Sequence, residues 1–226
     1  MTFADQVIQF HLQLKQPGKL PSGVVALNPY LDTEGQRVFK IFFQKYYLDS
    51  TFRHYLFGIN PGRFGAGLTG ISFTDPIRLA RDCGIDNTFP PRPELSSEFI
   101  YQVINAMGGP TDFFKHFYLT AISPLGFVKD QININYYDDK KLQLIIEPFA
   151  IRCIDAQVEF GCHRDVGICI GQGQNYLYFQ KLNKQYGWFK KLSALPHPRW
   201  VMQYRRKQFS RYVDEYVQNL SILINR

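Results

Sequence analysis

Between Asp165 and Asp214 the chain has no acidic residue, yet this interval holds nine lysines and arginines, more than the formal net charge of +7. Both tryptophans, Trp188 and Trp200, lie in the same interval among Tyr176, Tyr178, Tyr186 and Tyr204. A basic segment laced with aromatics suits a polyanion with stackable bases; a merely solvated basic face is the plainer alternative. Other absences narrow the classes further. No apolar run approaches the roughly 20 residues of a membrane helix, and the first five residues show neither part of a secretory leader. A soluble, intracellular protein (cytoplasm/nucleoid or nucleus) with no membrane contact is therefore expected. The four cysteines, Cys83, Cys153, Cys162 and Cys169, form no CxxC pair. They are expected to be buried free thiols, with no metal bound. The Gly-Lys-Ser/Thr ending of a phosphate-binding P-loop is missing, as are internal repeats and low-complexity tracts. With 45% hydrophobic residues, one domain is expected over residues 1–226, the first 23 forming a helix and loop extension.

Glycine, in contrast, is concentrated. Residues 58–70 hold five glycines, directly after Tyr55-Leu56-Phe57, which reads as the end of a buried strand. Asp75-Pro76 then opens a helix to about Cys83. Open α/β sheets place their ligands where a strand breaks into a loop at its carboxyl end, and Asn60 is the polar side chain at this turn. A tight turn without chemistry, or an anion cradle, would also use such glycines.

Three further segments read as strands: Phe117–Ile122, Val166–Ile170 and Leu192–Leu195. Helical periodicity covers residues 3–14, then 33–47 behind a cap at Asp32 or Thr33. It continues from Ser96 to Gly108-Gly109-Pro110, over 138–161 with a break or restart at Pro148, and through Tyr176 and Leu182. A long amphipathic helix from Gln203 follows Phe209, Val213, Tyr216, Leu220 and Leu223. Residues 24–30 read as extended, Pro90-Pro91-Arg92-Pro93 imposes an extended connection, and His54 reads as structural. Four strands, each followed by a turn and a helix, predict an α/β fold: a three-layer α/β/α sandwich around a central, mainly parallel four-stranded sheet. Right-handed crossovers then gather the carboxyl-end loops, and with them Asn60, Ser123 and His197, at one edge.

Gly58-Ile59-Asn60-Pro61-Gly62, with Phe64-Gly65, Thr69-Gly70 and Phe73 at their observed spacings, resembles the first active-site motif of the uracil-DNA glycosylase superfamily. Within it, the match is to the SMUG-type (single-strand-selective monofunctional) branch. Leu195-Pro196-His197-Pro198-Arg199 resembles the family's late His-Pro segment. The resemblance spans roughly residues 28–212. It implies a monofunctional DNA glycosylase of base excision repair, which flips uracil or a related deaminated base, hydrolyses its N-glycosidic bond and leaves an abasic site. Its partner would be DNA containing such a base, with the protein a monomer that needs no cofactor. By the same resemblance, Asn60 would position the attacking water and His197 would donate a hydrogen bond to the uracil O2. Gly58, Ile59, Pro61, Gly62, Phe64, Ala66 and Phe73 would line the pocket, with Phe73 stacking on the base and Gly62 leaving its C5 side open.

Departures from the family pattern carry their own expectations. More active relatives have an aspartate where this chain has Asn60, which predicts weaker water activation. Ala66 replaces a bulkier methionine and would admit larger deaminated bases. Ala121 stands where relatives place a base-reading asparagine; Ser123 is expected to read the base instead. The family's wedge is shortened, and Arg199, Trp200, Val201 and Met202 are expected to form the intercalating segment, with Arg205, Arg206 and Lys207 on phosphates. Some relatives hold an iron–sulfur cluster on four cysteines, but the spacing here differs and no cluster is expected. Two other classes stay open: a nucleic-acid-binding module of the same fold without glycosylase activity, and a nucleotide- or sugar-phosphate-processing enzyme.

Overall fold

The computed structural model describes residues 1–224. Helix α1 (Phe3–Leu12) begins at a reciprocal cap, in which the Thr2 hydroxyl accepts the Asp5 N–H and the Asp5 carboxylate accepts the Thr2 N–H, satisfying two otherwise free donors. Strand β1 (Val24–Leu27) leads through a 3₁₀ turn to α2 (Thr33–Tyr46), which Asp32 caps through the Gly35 N–H at 2.8 Å. The chain continues as β2 (His54–Gly58), α3 (Ala66–Thr69), α4 (Pro76–Arg81), α5 (Leu95–Ala106), α6 (Pro110–His116) and β3 (Phe117–Ala121). Then come β4 (Gly126–Lys129), β5 (Ile132–Ile134), α7 (Lys140–Val158), β6 (Val166–Ile170) and α8 (Gln174–Tyr186). Strand β7 (Lys191–Leu195), α9 (Pro198–Tyr204) and α10 (Phe209–Ile224) complete the described chain.

The central sheet has the order β3-β2-β6-β7, all parallel, with Gly58 paired to Ala121 and Ile170 to Leu195 at the carboxyl ends. Its strands are nearly continuous apolar runs, because helices cover both faces. This is the expected α/β sandwich. Beneath it sits an aromatic core of Phe39, Phe42, Phe43, Tyr47, Tyr55 and Tyr118, all buried. Helix α1 belongs to this core, since Phe3 and Val7 are fully buried and α1 packs on α2. The wholly buried Arg53 guanidinium lies 4.6 Å from both the Phe3 and Tyr47 ring centroids and pairs with Asp49 at 2.9 Å.

Three elements differ from the sequence expectation. A second, antiparallel sheet of order β1-β4-β5 was not foreseen. Its β4–β5 turn is made by Asp130 and Gln131, at φ 49° and 61°, where a two-residue hairpin normally signals itself with Asn-Gly or Asp-Gly. Helix α7 does not break at Pro148. Pro148 and Leu144 are both exposed, so the carbonyl that loses its partner faces water. The segment expected as one helix from Gln203 is two: α9 ends at Tyr204, since the next residue, Arg205, has a φ of −132° outside the helical region, and α10 starts after a further 3₁₀ turn.

Candidate active site

The loops after β2 and β7 and the carboxyl end of β3 meet at one edge of the central sheet around a cleft of about 520 Å³. Gly58, Ile59, Asn60, Pro61, Gly62, Phe64, Ala66 and Phe73 all line it, together with His197, Arg199 and Trp200. The two motifs, 137 residues apart (197 − 60), thus share one cavity. Crossover handedness and the parallel sheet bring them there.

Phe73 forms one wall. Its ring is 6.4 Å from the His197 ring, and its backbone is in the left-handed region at φ 55°, costly for an aromatic residue. The Ser97 hydroxyl holds it there, donating to the Phe73 carbonyl at 2.6 Å and accepting the Asp75 N–H at 2.8 Å. The ring also lies over the α-carbon of Gly58, where a Cβ would come 2.9 Å from Phe73 Cζ. Glycine at 58 therefore makes room for the wall.

His197 is the N-cap of α9, with its Nδ1 accepting the Arg199 N–H at 3.2 Å. That bond fixes the tautomer: Nδ1 is the acceptor, so Nε2 carries the proton and is a donor. Burial, reinforced by the Arg199 charge, pushes the imidazole pKa down to about 4, so near pH 7 the ring is neutral.

Asn60 is equally fixed. Its Oδ1 accepts the Tyr136 N–H at 3.0 Å and its Nδ2 donates to the Ile134 carbonyl at 3.3 Å. Backbone groups cannot exchange donor and acceptor roles, so the amide has one orientation, and Oδ1 keeps a second lone pair. Tyr136 is fully buried and donates its hydroxyl to Asn175 Oδ1 at 2.7 Å, while Asn175 reaches the Gly58 carbonyl at 3.4 Å. The unforeseen β5 end and α8 thus brace the first motif. Sequence reading missed Tyr136 and Asn175 because neither lies in a motif. It also missed Glu94, a half-buried carboxyl in the cleft.

Ser123 is not brought to the cleft. It is fully buried and donates its hydroxyl to the Leu125 carbonyl at 2.8 Å, turned inward by the bend after β3. The expected intercalating segment is corrected too, because it is the helix α9. Val201 is fully buried and Met202 is 3% exposed, both inside the structure where α9 packs on α5. Trp200, 39% exposed, remains at the cleft with Arg205 stacked 4.9 Å over it. Arg206 is exposed and lies 4.0 Å from Glu98, and Lys207 is exposed beside it.

The basic interval divides in space. Lys190 pairs with Asp165 at 2.8 Å at the amino end of β7, the length of a strand away from His197. Trp188 is buried under Tyr186, with ring centroids 5.2 Å apart. Of this interval, Arg199, Trp200 and Tyr204 carry the basic and aromatic character to the cleft itself. Gly65, Gly67 and Gly70 have the GxGxxG spacing of a dinucleotide loop, but the helix they open, α3, is a single turn, too short for that architecture. The four cysteines are free and buried in separate places. Among the described residues, no cluster of three or more His, Cys, Asp or Glu is placed to hold a metal, and no helix is long and apolar enough to cross a membrane.

A model of the Uracil DNA glycosylase superfamily matches residues 45–221. The crystal structure of wild-type SMUG2 from Pedobacter heparinus is 42% identical, covers 100% of each chain and superposes with a TM-score of 0.97. Among curated protein sequences no relative matches. The cleft formed by the glycine motif and the late histidine, the fold around it and these two matches agree: the chain belongs to the uracil DNA glycosylase superfamily, in its SMUG-type branch.

Proposed function

We propose that the protein is a monofunctional DNA glycosylase that hydrolyses the N-glycosidic bond of uracil or a related deaminated base, leaving an abasic site. The observation that carries this reading is the shared cleft of Asn60, Phe73 and His197, with a neutral histidine whose Nε2–H is its free donor. Breaking the bond passes through an oxocarbenium-like sugar while negative charge grows on the departing base. A neutral donor fixed in place stabilises that charge without reorganising as it develops, and removing such a donor costs roughly 10²–10³ in rate. Asn60, held by β5, uses its remaining Oδ1 lone pair to accept a hydrogen bond from the attacking water and aim the water oxygen at the anomeric carbon. An amide is a weaker base than a carboxylate, so water is oriented here more than activated.

The target base must leave the duplex, which costs a few kcal/mol of unstacking. Phe73 offers a replacement stacking face, and Trp200 with Arg205 supplies an exposed aromatic and a charge at the cleft mouth. With Ala66 and Gly62 on the C5 side, the pocket suits a range of deaminated bases. The test is base release from oligonucleotides bearing uracil, 5-hydroxymethyluracil, xanthine or hypoxanthine, by wild type beside Asn60→Ala and His197→Ala. Release by wild type, strongly reduced in both variants, is expected. Tight DNA binding without release would instead make the chain a binding module of the same fold, and release from free nucleotides alone would make it a nucleotide-processing enzyme.

A further inference from the structure

Within the SMUG-type branch the base edge is expected to be read by an asparagine, and this chain has Ala121 there. Ser123, the nearest hydroxyl in sequence, is buried and bonded to Leu125. Thr120 is no substitute, because its hydroxyl is committed to Gln157 Oε1 at 2.6 Å. A cleft built for a polar base is thus left without the expected reader. One carboxyl faces it. Glu94 precedes α5, its N–H donates to Asp75 at 2.9 Å, and its side chain folds back under the glycine loop. A Cβ on Gly62 would lie 2.5 Å from Glu94 Oε1, and one on Gly65 would overlap Oε2. The two glycines therefore leave the space that this carboxyl fills, on the Gly62 side of the cleft. Glu94 is also the one carboxylate among the residues that line the cleft.

Resting on the glycosylase reading, we propose that the Glu94 carboxyl is the specificity-determining group that reads the lactam edge of the flipped base. Deamination converts an amino-bearing ring edge into a carbonyl beside a ring N–H. Uracil (O4 and N3–H) and hypoxanthine (O6 and N1–H) share this edge, and their amino parents, cytosine and adenine, do not; xanthine has it too, in common with its parent guanine. A carboxyl oxygen complements the N–H of this edge as its hydrogen-bond acceptor. Burial, with Asp75 nearby, raises the Glu94 pKa, against the opposing pull of the Phe64 and Gly65 amides and the Arg199 charge. An acceptor oxygen at that place would disfavour cytosine and adenine, whose ring nitrogen beside the amino group carries a lone pair instead of a proton. A polar partner of this kind gives larger discrimination than pocket shape alone, because mismatched polar groups are left unpaired in a closed site.

The test compares substrates as well as variants. Wild type, Glu94→Gln and Glu94→Ala are assayed by single-turnover base release from otherwise identical oligonucleotides bearing uracil or N3-methyluracil, whose methyl group removes the N–H. Wild type should release uracil at least about 100-fold faster than the methylated base. Glu94→Gln, whose amide still offers a donor and an acceptor, should keep most of that ratio, and Glu94→Ala should compress it to within about threefold. Should Glu94→Ala fail to fold, Glu94→Met fills the same space without polar atoms and carries the same comparison. An equal loss on both substrates, with the ratio unchanged, would overturn the inference and leave Glu94 as a prop for the glycine loop. A wild type that releases neither base would overturn the glycosylase reading itself.

Discussion

At the amino end of the parallel sheet, His54 stacks on His163 with ring centroids 4.4 Å apart, and its buried Nδ1 has no partner. At the carboxyl end, His197 caps α9 and borders the cleft. Burial pushes both imidazoles down to about 4, helped by His163 in one case and Arg199 in the other. Both ends also carry cations: Lys190 on Asp165 at the first, Arg199 and Arg205 at the second. A perturbed histidine near positive charge therefore does not mark a site by itself. The carboxyl end differs in having a cavity, an aromatic wall and a second fixed polar group, Asn60, facing the same space. Parallel strands explain the asymmetry, because every loop at that end follows a strand and converges with its neighbours.

Substitutions at the two ends should separate these roles, and the largest effect is catalytic. His197→Ala should lower the single-turnover rate of uracil release by about 10²–10³, while His54→Gln should leave it within about threefold. Equal losses would erase the distinction between the two ends. Within α9 the contrast is between stability and DNA. Met202→Ala should lower unfolding free energy by about 2–5 kcal/mol in denaturant titrations, whereas Trp200→Ala should weaken DNA binding and leave unfolding nearly unchanged. If Met202→Ala instead spared stability and abolished binding, Met202 would be a wedge after all.

Acid should act on both ends alike. His11, His54 and His197 each have a folded pKa of about 4 against an ordinary 6.5. Between those values the unfolded chain binds more protons than the folded one. Stability is therefore fully present above pH 6.5 and falls as pH drops toward 4. Denaturation midpoints measured from pH 7.5 to 4.5 should show this decline, and His54→Gln should make it shallower. An unchanged slope in that variant would mean His54 is not held neutral. The smallest expected effect concerns salt. Arg206→Ala should reduce the slope of log affinity against log salt by about 1, and Lys190→Ala, at the far end, should leave it unchanged.

How far the sequence revealed this arrangement depended on whether the signal was local. The four central strands and the convergence of residues 60 and 197 were legible, because buried apolar runs and glycine breaks are local signals and parallel topology does the rest. Position 123 was misread because a backbone bend, not sequence distance, decides where its hydroxyl points. Val201 and Met202 were misread for a related reason: Pro198 at the first turn of a helix turns an apparent loop into α9 and faces them inward. Tyr136 and Asn175 could not be found by motif, since each acts through an element remote from the loop it supports, and Glu94 lies outside both motifs, just ahead of α5. A tell-tale does exist for Glu94 in the paired glycines 62 and 65, whose missing side chains make room for it.

The most direct test is the structure of the protein with a duplex bearing 2′-fluoro-2′-deoxyuridine, whose electron-withdrawing fluorine suppresses the oxocarbenium-like state and preserves the bond. The uracil is expected outside the helix, stacked on Phe73, with its O2 about 3 Å from His197 Nε2 and a water between Asn60 Oδ1 and the anomeric carbon. A uracil still stacked in the duplex, or a flipped base lodged away from Phe73 and His197, would contradict the account.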